Sequence, residues 1–135
     1  MRLTIDSYAW IEVIRGSPLG TATRARIEAA GACFTPAIAL AEVGHRCRRD
    51  GFGDRQIEHE LTAMTEASVL VPITSGLATA ASSATEELRE RVRSLRLRPA
   101  GLTDGLILAT ARGAESQLLT GDPHFRGLRE ILWLG

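Results

Sequence analysis

Four carboxylates stand out by position in this chain of 135 residues: Asp6, Glu42, Asp104 and Asp122. Asp6 ends the short β-prone run Leu3-Thr4-Ile5, and Asp122 follows Leu118-Leu119-Thr120 across Gly121. Asp104 begins an apolar stretch over 104–114, and Glu42 lies two turns into a helical stretch that starts at Ala37. Three of them have a structural explanation as well. Asp6 would cap a helix starting at Ser7, Asp104 would suit the positive end of its helix, and Asp122 before Pro123 is a common turn arrangement. Glu42 has nothing to cap; with Ile38 on one side and His45 and Arg49 on the other, it borders an apolar and a polar face. Together the four describe a carboxylate cluster. Like charges held that close repel and resist desolvation unless cations neutralise them. The natural counter-charge is a hard divalent ion with oxygen ligands, Mg²⁺ or Mn²⁺. Such an ion activates water and stabilises charge on a phosphoryl group.

The elements that must position these acids alternate. Leu3–Ile5 reads as a strand that passes directly into a helix over 8–14, where Tyr8, Ile11 and Ile14 recur at helical spacing. Gly16-Ser17-Pro18 breaks it, a second helix fits 19–30, and Gly31 closes that one. Ala32-Cys33-Phe34 predicts a second strand, with Thr35 as N-cap and Pro36 at the first helical position of a helix running to Arg49. Further helices are predicted over 54–66, 75–97 and 104–114, with strands at Val69–Val71, Gln117–Thr120 and, at an edge, Ile131–Trp133. Strands separated by helical segments give βαβ units and a parallel sheet covered by helices, an α/β fold in one domain over 1–135. Ligands of such sheets sit at the carboxyl ends of the strands.

Composition narrows the chemistry further. The chain has no Lys and no Asn, so all 16 cationic side chains are Arg. That excludes a P-loop lysine, Schiff-base chemistry and N-glycosylation. Cys33 and Cys47 cannot form a CxxC pair or a four-ligand zinc cluster, and are expected as small buried hydrophobes in a reducing compartment. No apolar run is long enough to span a bilayer, and Asp6 stands where a signal peptide would be apolar, so a cytoplasmic protein is the expectation. Formal net charge is zero, but setting the four acids aside leaves 12 acids against 16 Arg. An acidic pit on a mildly basic body suits a nucleic-acid substrate.

Two other carboxylate-based α/β families fail on residues. Phosphoryl-receiver domains rely on a lysine after a late strand, and haloacid-dehalogenase-like phosphatases carry Asp-x-Asp after strand one. Here no lysine exists, and Asp6-Ser7-Tyr8 has no second acid. From Leu3 to Phe125 the sequence instead resembles PIN-domain ribonucleases, most of all the VapC-type toxins of toxin–antitoxin pairs. Asp6-Ser7 resembles the family's opening Asp with its hydroxyl residue, and Ala39-Leu40-Ala41-Glu42-Val43 its helix-borne Glu. Thr103-Asp104-Gly105-Leu106-Ile107-Leu108-Ala109-Thr110-Ala111 is similar to its third motif, and Leu118-Leu119-Thr120-Gly121-Asp122 with Phe125 to its last. Tyr8, Gly44 and His124 depart from the usual pattern.

The resemblance implies a PIN-like three-layer α/β/α sandwich with a mainly parallel sheet of four to five strands. It implies that Asp6, Glu42, Asp104 and Asp122 form a catalytic, metal-binding tetrad for Mg²⁺ or Mn²⁺, supported by Thr120 and Ser7, and that the activity is RNA hydrolysis leaving 5′-phosphates. It also implies a homodimer, a VapB-type antitoxin partner, and transfer RNA or a ribosomal RNA loop as substrate. A PIN nuclease of RNA processing without a toxin role, or a noncatalytic RNA-binding module, is the alternative. Arg46 and Arg49, one and two turns beyond Glu42, are the candidates for steering RNA phosphates. The Arg-rich run from Arg89 to Arg98 reads as a solvated face balanced by Glu86, Glu87 and Glu90. His45, His59 and His124 are expected as surface or edge residues.

Overall fold

Leu3, Ile5, Leu118 and Leu119 have no exposed surface, because the two strands that carry them lie in the middle of the sheet. The computed structural model describes residues 1–134. In chain order the elements are β1 (Arg2–Ile5), α1 (Ser7–Arg15), α2 (Pro18–Ala29), β2 (Ala32–Pro36), α3 (Ala37–Arg49), α4 (Asp54–Ala67), β3 (Val69–Val71), α5 (Ser75–Ser94), α6 (Leu102–Gly113), β4 (Gln117–Thr120) and β5 (Ile131–Trp133). A 3₁₀ turn, Pro123–Phe125, leads out of β4. The sheet runs β3-β2-β1-β4-β5, and every neighbouring pair is parallel.

Because successive strand residues face opposite sides, adjacent Leu118 and Leu119 enter different cores. Leu119 joins Leu3, Ile5, Trp10, Val43, Cys47 and Met64 beneath the first four helices. Leu118 joins Leu88, Val92, Ile107, Leu108 and Phe125 beneath α5 and α6. The result is the expected three-layer α/β/α sandwich, with five strands, all parallel, among the described residues. Among the described residues no helix is long and apolar enough to cross a membrane. Cys33 and Cys47 are buried and unpaired.

Gly105 lets α5 and α6 pack closely: a Cβ there would fall 1.9 Å from Thr85 Oγ1 and 2.7 Å from the Ala81 carbonyl oxygen. The tightest packing of α6 therefore falls one residue from Asp104.

Some local expectations need correction. Thr35 and Pro36 belong to β2, and α3 has no side-chain cap. The Thr35 hydroxyl is used across the layer instead: it accepts from Trp10 Nε1 at 3.1 Å and lies 2.7 Å from Ser68 Oγ. Since Ser68 Oγ donates to the Met64 carbonyl at 2.7 Å, Thr35 is the donor to Ser68. Helix α2 ends at Ala30 in extended backbone rather than at a left-handed Gly31. Helix α5 ends at Ser94, and α6 starts at Leu102, so Asp104 is its third residue.

Candidate functional site

Strand order proceeds one way from β1 through β2 to β3 and the other way through β4 to β5, so it reverses between β1 and β4. At such a reversal the connections leave in opposite directions and a crevice opens at the carboxyl ends of the strands. Asp6 and Asp122 stand there, directly after β1 and just beyond β4.

Each acid is held by local structure. Asp6 caps α1: its Oδ1 accepts from Ser7 N at 2.7 Å, and its Oδ2 accepts from Thr120 Oγ1 at 2.6 Å. Thr120 Oγ1 accepts in turn from Asp122 N at 3.0 Å, so one hydroxyl ties two acids together. Asp122 caps the 3₁₀ turn, its Oδ1 accepting from His124 N at 3.0 Å. Asp104 Oδ2 accepts from Gly101 N at 2.9 Å, closing the first turn of α6. Glu42 projects from α3 without any capping role, and its Oε1 is buried with no hydrogen-bond partner. Capping therefore describes three of the acids but leaves the full burial of Asp6 unexplained.

Electrostatics links all four. Asp6 is 2% exposed. Burial pushes its carboxyl up to about 7, opposed by the Thr120 hydrogen bond and reinforced by the charges of Asp122 and Glu42. Glu42 is raised by burial and by Asp104 and Asp122, while the Ser7 hydroxyl eases its ionised form. That hydroxyl also lies 3.3 Å from Asp6 Oδ1. Asp104 is raised by burial and by Asp122, against the Gly101 hydrogen bond and the charge of Arg98. An oxygen-rich crevice with an orphaned Glu42 oxygen and a desolvated Asp6 has the donor chemistry of a hard-cation site.

Two residues beside the acids were expected from sequence to lie outside the site, His124 as a surface or edge residue and Arg98 on a solvated face. His124 is half-buried; its Nδ1 lies 3.0 Å from Asp122 Oδ1, and its Nε2 2.9 Å from the Arg98 carbonyl oxygen. Donor atoms of Asp104, Asp122 and His124 all fall within 4.8 Å of one another. Arg98 is the arginine whose charge acts on Asp104. The signal available in the sequence was Asp122-Pro123-His124, an acid and an imidazole two residues apart after a strand. Arg46 pairs with Asp50 at 3.3 Å and lines a separate cavity of about 230 Å³ with Ile11, Cys47 and Phe52. Arg49 is exposed, and neither arginine is among the charges that shift Asp6, Glu42 or Asp104.

A larger cavity, of about 840 Å³, lies elsewhere, between β3, α5 and the end of α6. Its lining is apolar apart from Ser83, Thr110 and Arg112, and Arg112 is committed to Glu87 at 2.7 Å and Glu130 at 3.0 Å. It offers no comparable set of reactive groups.

Comparison with known proteins agrees with this layout. The PIN domain family profile matches residues 3–131. No curated protein sequence matches. A toxin–antitoxin complex from Klebsiella pneumoniae contains a chain of similar fold, with a TM-score of 0.69, 18% identity and 98% of each chain covered. VapBC2 from Rickettsia felis, bound to a DNA fragment from its promoter, gives a TM-score of 0.68 at 14% identity, covering 98% of this chain and 97% of that one. VapC20 from Mycobacterium tuberculosis, a toxin that cleaves the sarcin-ricin loop, gives 0.67 at 17% identity, covering 96% of this chain and 98% of that one.

Proposed function

This chain belongs to the PIN domain family, and from that premise we propose that it is a metal-dependent endoribonuclease, the toxin of a VapBC-type toxin–antitoxin pair. The observation that carries the reading is the convergence of Asp6, Glu42, Asp104 and Asp122 on one crevice, with Glu42 Oε1 unpartnered and Asp6 cut off from water. Four acids without a cation weaken the fold that holds them, so their gathering is best accounted for by a ligand that needs negative oxygen donors.

These four side chains would hold Mg²⁺ or Mn²⁺. When bound, such an ion lowers the pKa of water and takes up charge on phosphoryl oxygens. The chain's own contribution is placement. The Gly101 and His124 amides donate to Asp104 Oδ2 and Asp122 Oδ1, fixing the orientation of both carboxylates while lone pairs remain on them for a cation. The Thr120 hydroxyl and the Ser7 amide orient Asp6 and favour its ionised form inside an environment that would otherwise keep it protonated. Arg98, exposed beside Asp104, is positioned to meet an arriving phosphate.

Structured RNA is the substrate class, transfer RNA or a ribosomal RNA loop; similarity of fold to a toxin that cleaves the sarcin-ricin loop supports this. Attack by water rather than by the ribose 2′-hydroxyl leaves 5′-phosphate and 3′-hydroxyl ends. The protein acts in the cytoplasm as a homodimer silenced by an antitoxin, a partner that the similar toxin–antitoxin complexes support. A basic antitoxin side chain entering the crevice would supply the charge that the cation otherwise supplies.

The test is cleavage of transfer and ribosomal RNA by the purified chain with Mg²⁺ or Mn²⁺. Cleavage should stop with EDTA, give 5′-phosphate ends, and fall at least about a hundredfold in Asp6→Ala. Undiminished cutting under chelation, or 2′,3′-cyclic phosphate ends, would contradict the mechanism. Expression without an antitoxin should slow growth, and Asp6→Ala should relieve it; equal toxicity of the two proteins would remove the toxin role.

A further inference from the structure

Resting on the reading of the acids as a cation site, we propose that His124 supplies a nitrogen donor, through Nδ1, to the cation that Asp104 and Asp122 hold. The ring is fixed from its far side. Its Nε2 lies 2.9 Å from the Arg98 carbonyl oxygen. A carbonyl only accepts, so Nε2 carries a hydrogen, and it is the other nitrogen, Nδ1, whose lone pair is available to a cation. One ring nitrogen donating to a backbone carbonyl while the other points into a carboxylate site is how metal-binding imidazoles are held in the required tautomer.

The near side of the ring lacks what it needs. Nδ1 is buried and has no hydrogen-bond partner. Asp122 Oδ1 is 3.0 Å away but outside hydrogen-bond geometry. A lone pair beside an anionic oxygen at that distance, directed off the line between them, has no favourable partner, and a cation held by both atoms makes the same placement favourable. The spacing suits one: two donors about 2.1 Å from an octahedral ion, in adjacent positions, are about 3.0 Å apart. Asp104 completes a three-donor group within 4.8 Å. The competing arrangement is an imidazolium whose second proton lies toward Asp122 and occupies the cation's place. A mixed nitrogen and oxygen set prefers transition ions, so the site should favour Mn²⁺ over Mg²⁺ more than four carboxylates alone would.

Pulsed EPR of Mn²⁺ bound to the full chain tests this without reference to activity. The chain has three histidines, and His45 and His59 are exposed. Coordinated-imidazole ¹⁴N coupling should appear in the wild type and persist in the His45→Gln/His59→Gln double variant, which assigns it to His124 even if His124 variants fail to fold. In folded His124→Gln it should vanish, with the Mn²⁺-over-Mg²⁺ preference reduced roughly tenfold. Mn²⁺ bound by the wild type without nitrogen coupling, or coupling that survives His124→Gln, overturns the inference and leaves the carboxylate site standing. Failure of the wild type to bind Mn²⁺ overturns both.

Discussion

Thr120 gives one hydroxyl to two acids, donating to Asp6 Oδ2 and accepting from the Asp122 amide. Thr120→Val keeps the shape of the side chain and removes both bonds. Leaving the part-buried Asp122 amide unpaired should cost about 1 kcal/mol of stability, and Asp6 should hold its proton to higher pH, weakening Mg²⁺ binding at neutral pH. Thr120→Ser should restore both properties; melting curves and metal titrations of the three proteins check this, and a Val variant equal to wild type in both would contradict it. Asp6 also sets a pH dependence. Its carboxyl is raised from 3.8 to about 7, so the metal-free fold holds a proton that the unfolded chain releases above about pH 4. The stability this provides is fully present below that point and declines as pH rises toward 7, by up to roughly 1.4 kcal/mol per pH unit. Burial raises Glu42 and Asp104 in the same direction. With Mg²⁺ the trend should flatten, because the ion competes with the proton, and thermal melts from pH 4 to 8 with and without Mg²⁺ should show it. Asp6, Glu42, Asp104 and Asp122 were legible in the sequence because each sits at a fixed point relative to a recognisable element. His124 was not: its partner is a backbone carbonyl 26 residues away, brought to it only by the connection between α5 and α6.

At the scale of elements, the close contact of α5 and α6 through Gly105 holds Asp104 in place. Gly105→Ala would drive a methyl group against Thr85 Oγ1 and the Ala81 carbonyl. We expect a loss on the order of 2 kcal/mol, together with weakened metal binding as Asp104 moves with the first turn of α6. Because backbone atoms at Ala81 and Thr85 block the space as well, Thr85→Ala should restore only part of the stability. A Gly105→Ala protein with wild-type melting and metal affinity would show that this packing does not position the acid. Strand and helix identities could be read from apolar periodicity and from breaks such as Gly16-Ser17-Pro18. The Thr35-Pro36 pair misled for a physical reason. Its residues match a helix start locally, but pairing with Leu70 and Val71 on β3 and the bond from Trp10 keep them in the strand. A local signal of that strength yields to long-range pairing that no short window contains.

Over the whole molecule, zero net charge conceals an uneven distribution, with four acids gathered at the sheet's reversal point and 16 arginines spread over the chain. Alternation of strands and helices was enough to foresee the parallel sheet, and the reversal between β1 and β4 explains why residues as distant as Asp6 and Asp122 meet. A bound cation should then stabilise the entire fold by mass action, roughly 2.7 kcal/mol at a hundredfold excess over its dissociation constant. The most direct test of the cluster compares melting of wild type and Asp104→Asn, each with and without Mg²⁺. Asn retains an oxygen to accept from the Gly101 amide while removing one of the crowded charges. If the acids form one cation site, the metal-free variant melts higher than wild type by on the order of 1 kcal/mol, and Mg²⁺ stabilises it much less than wild type. A variant that melts lower without metal and keeps the full Mg²⁺ shift would mean that Asp104 only supports the start of α6, and that the four acids do not act together on a metal.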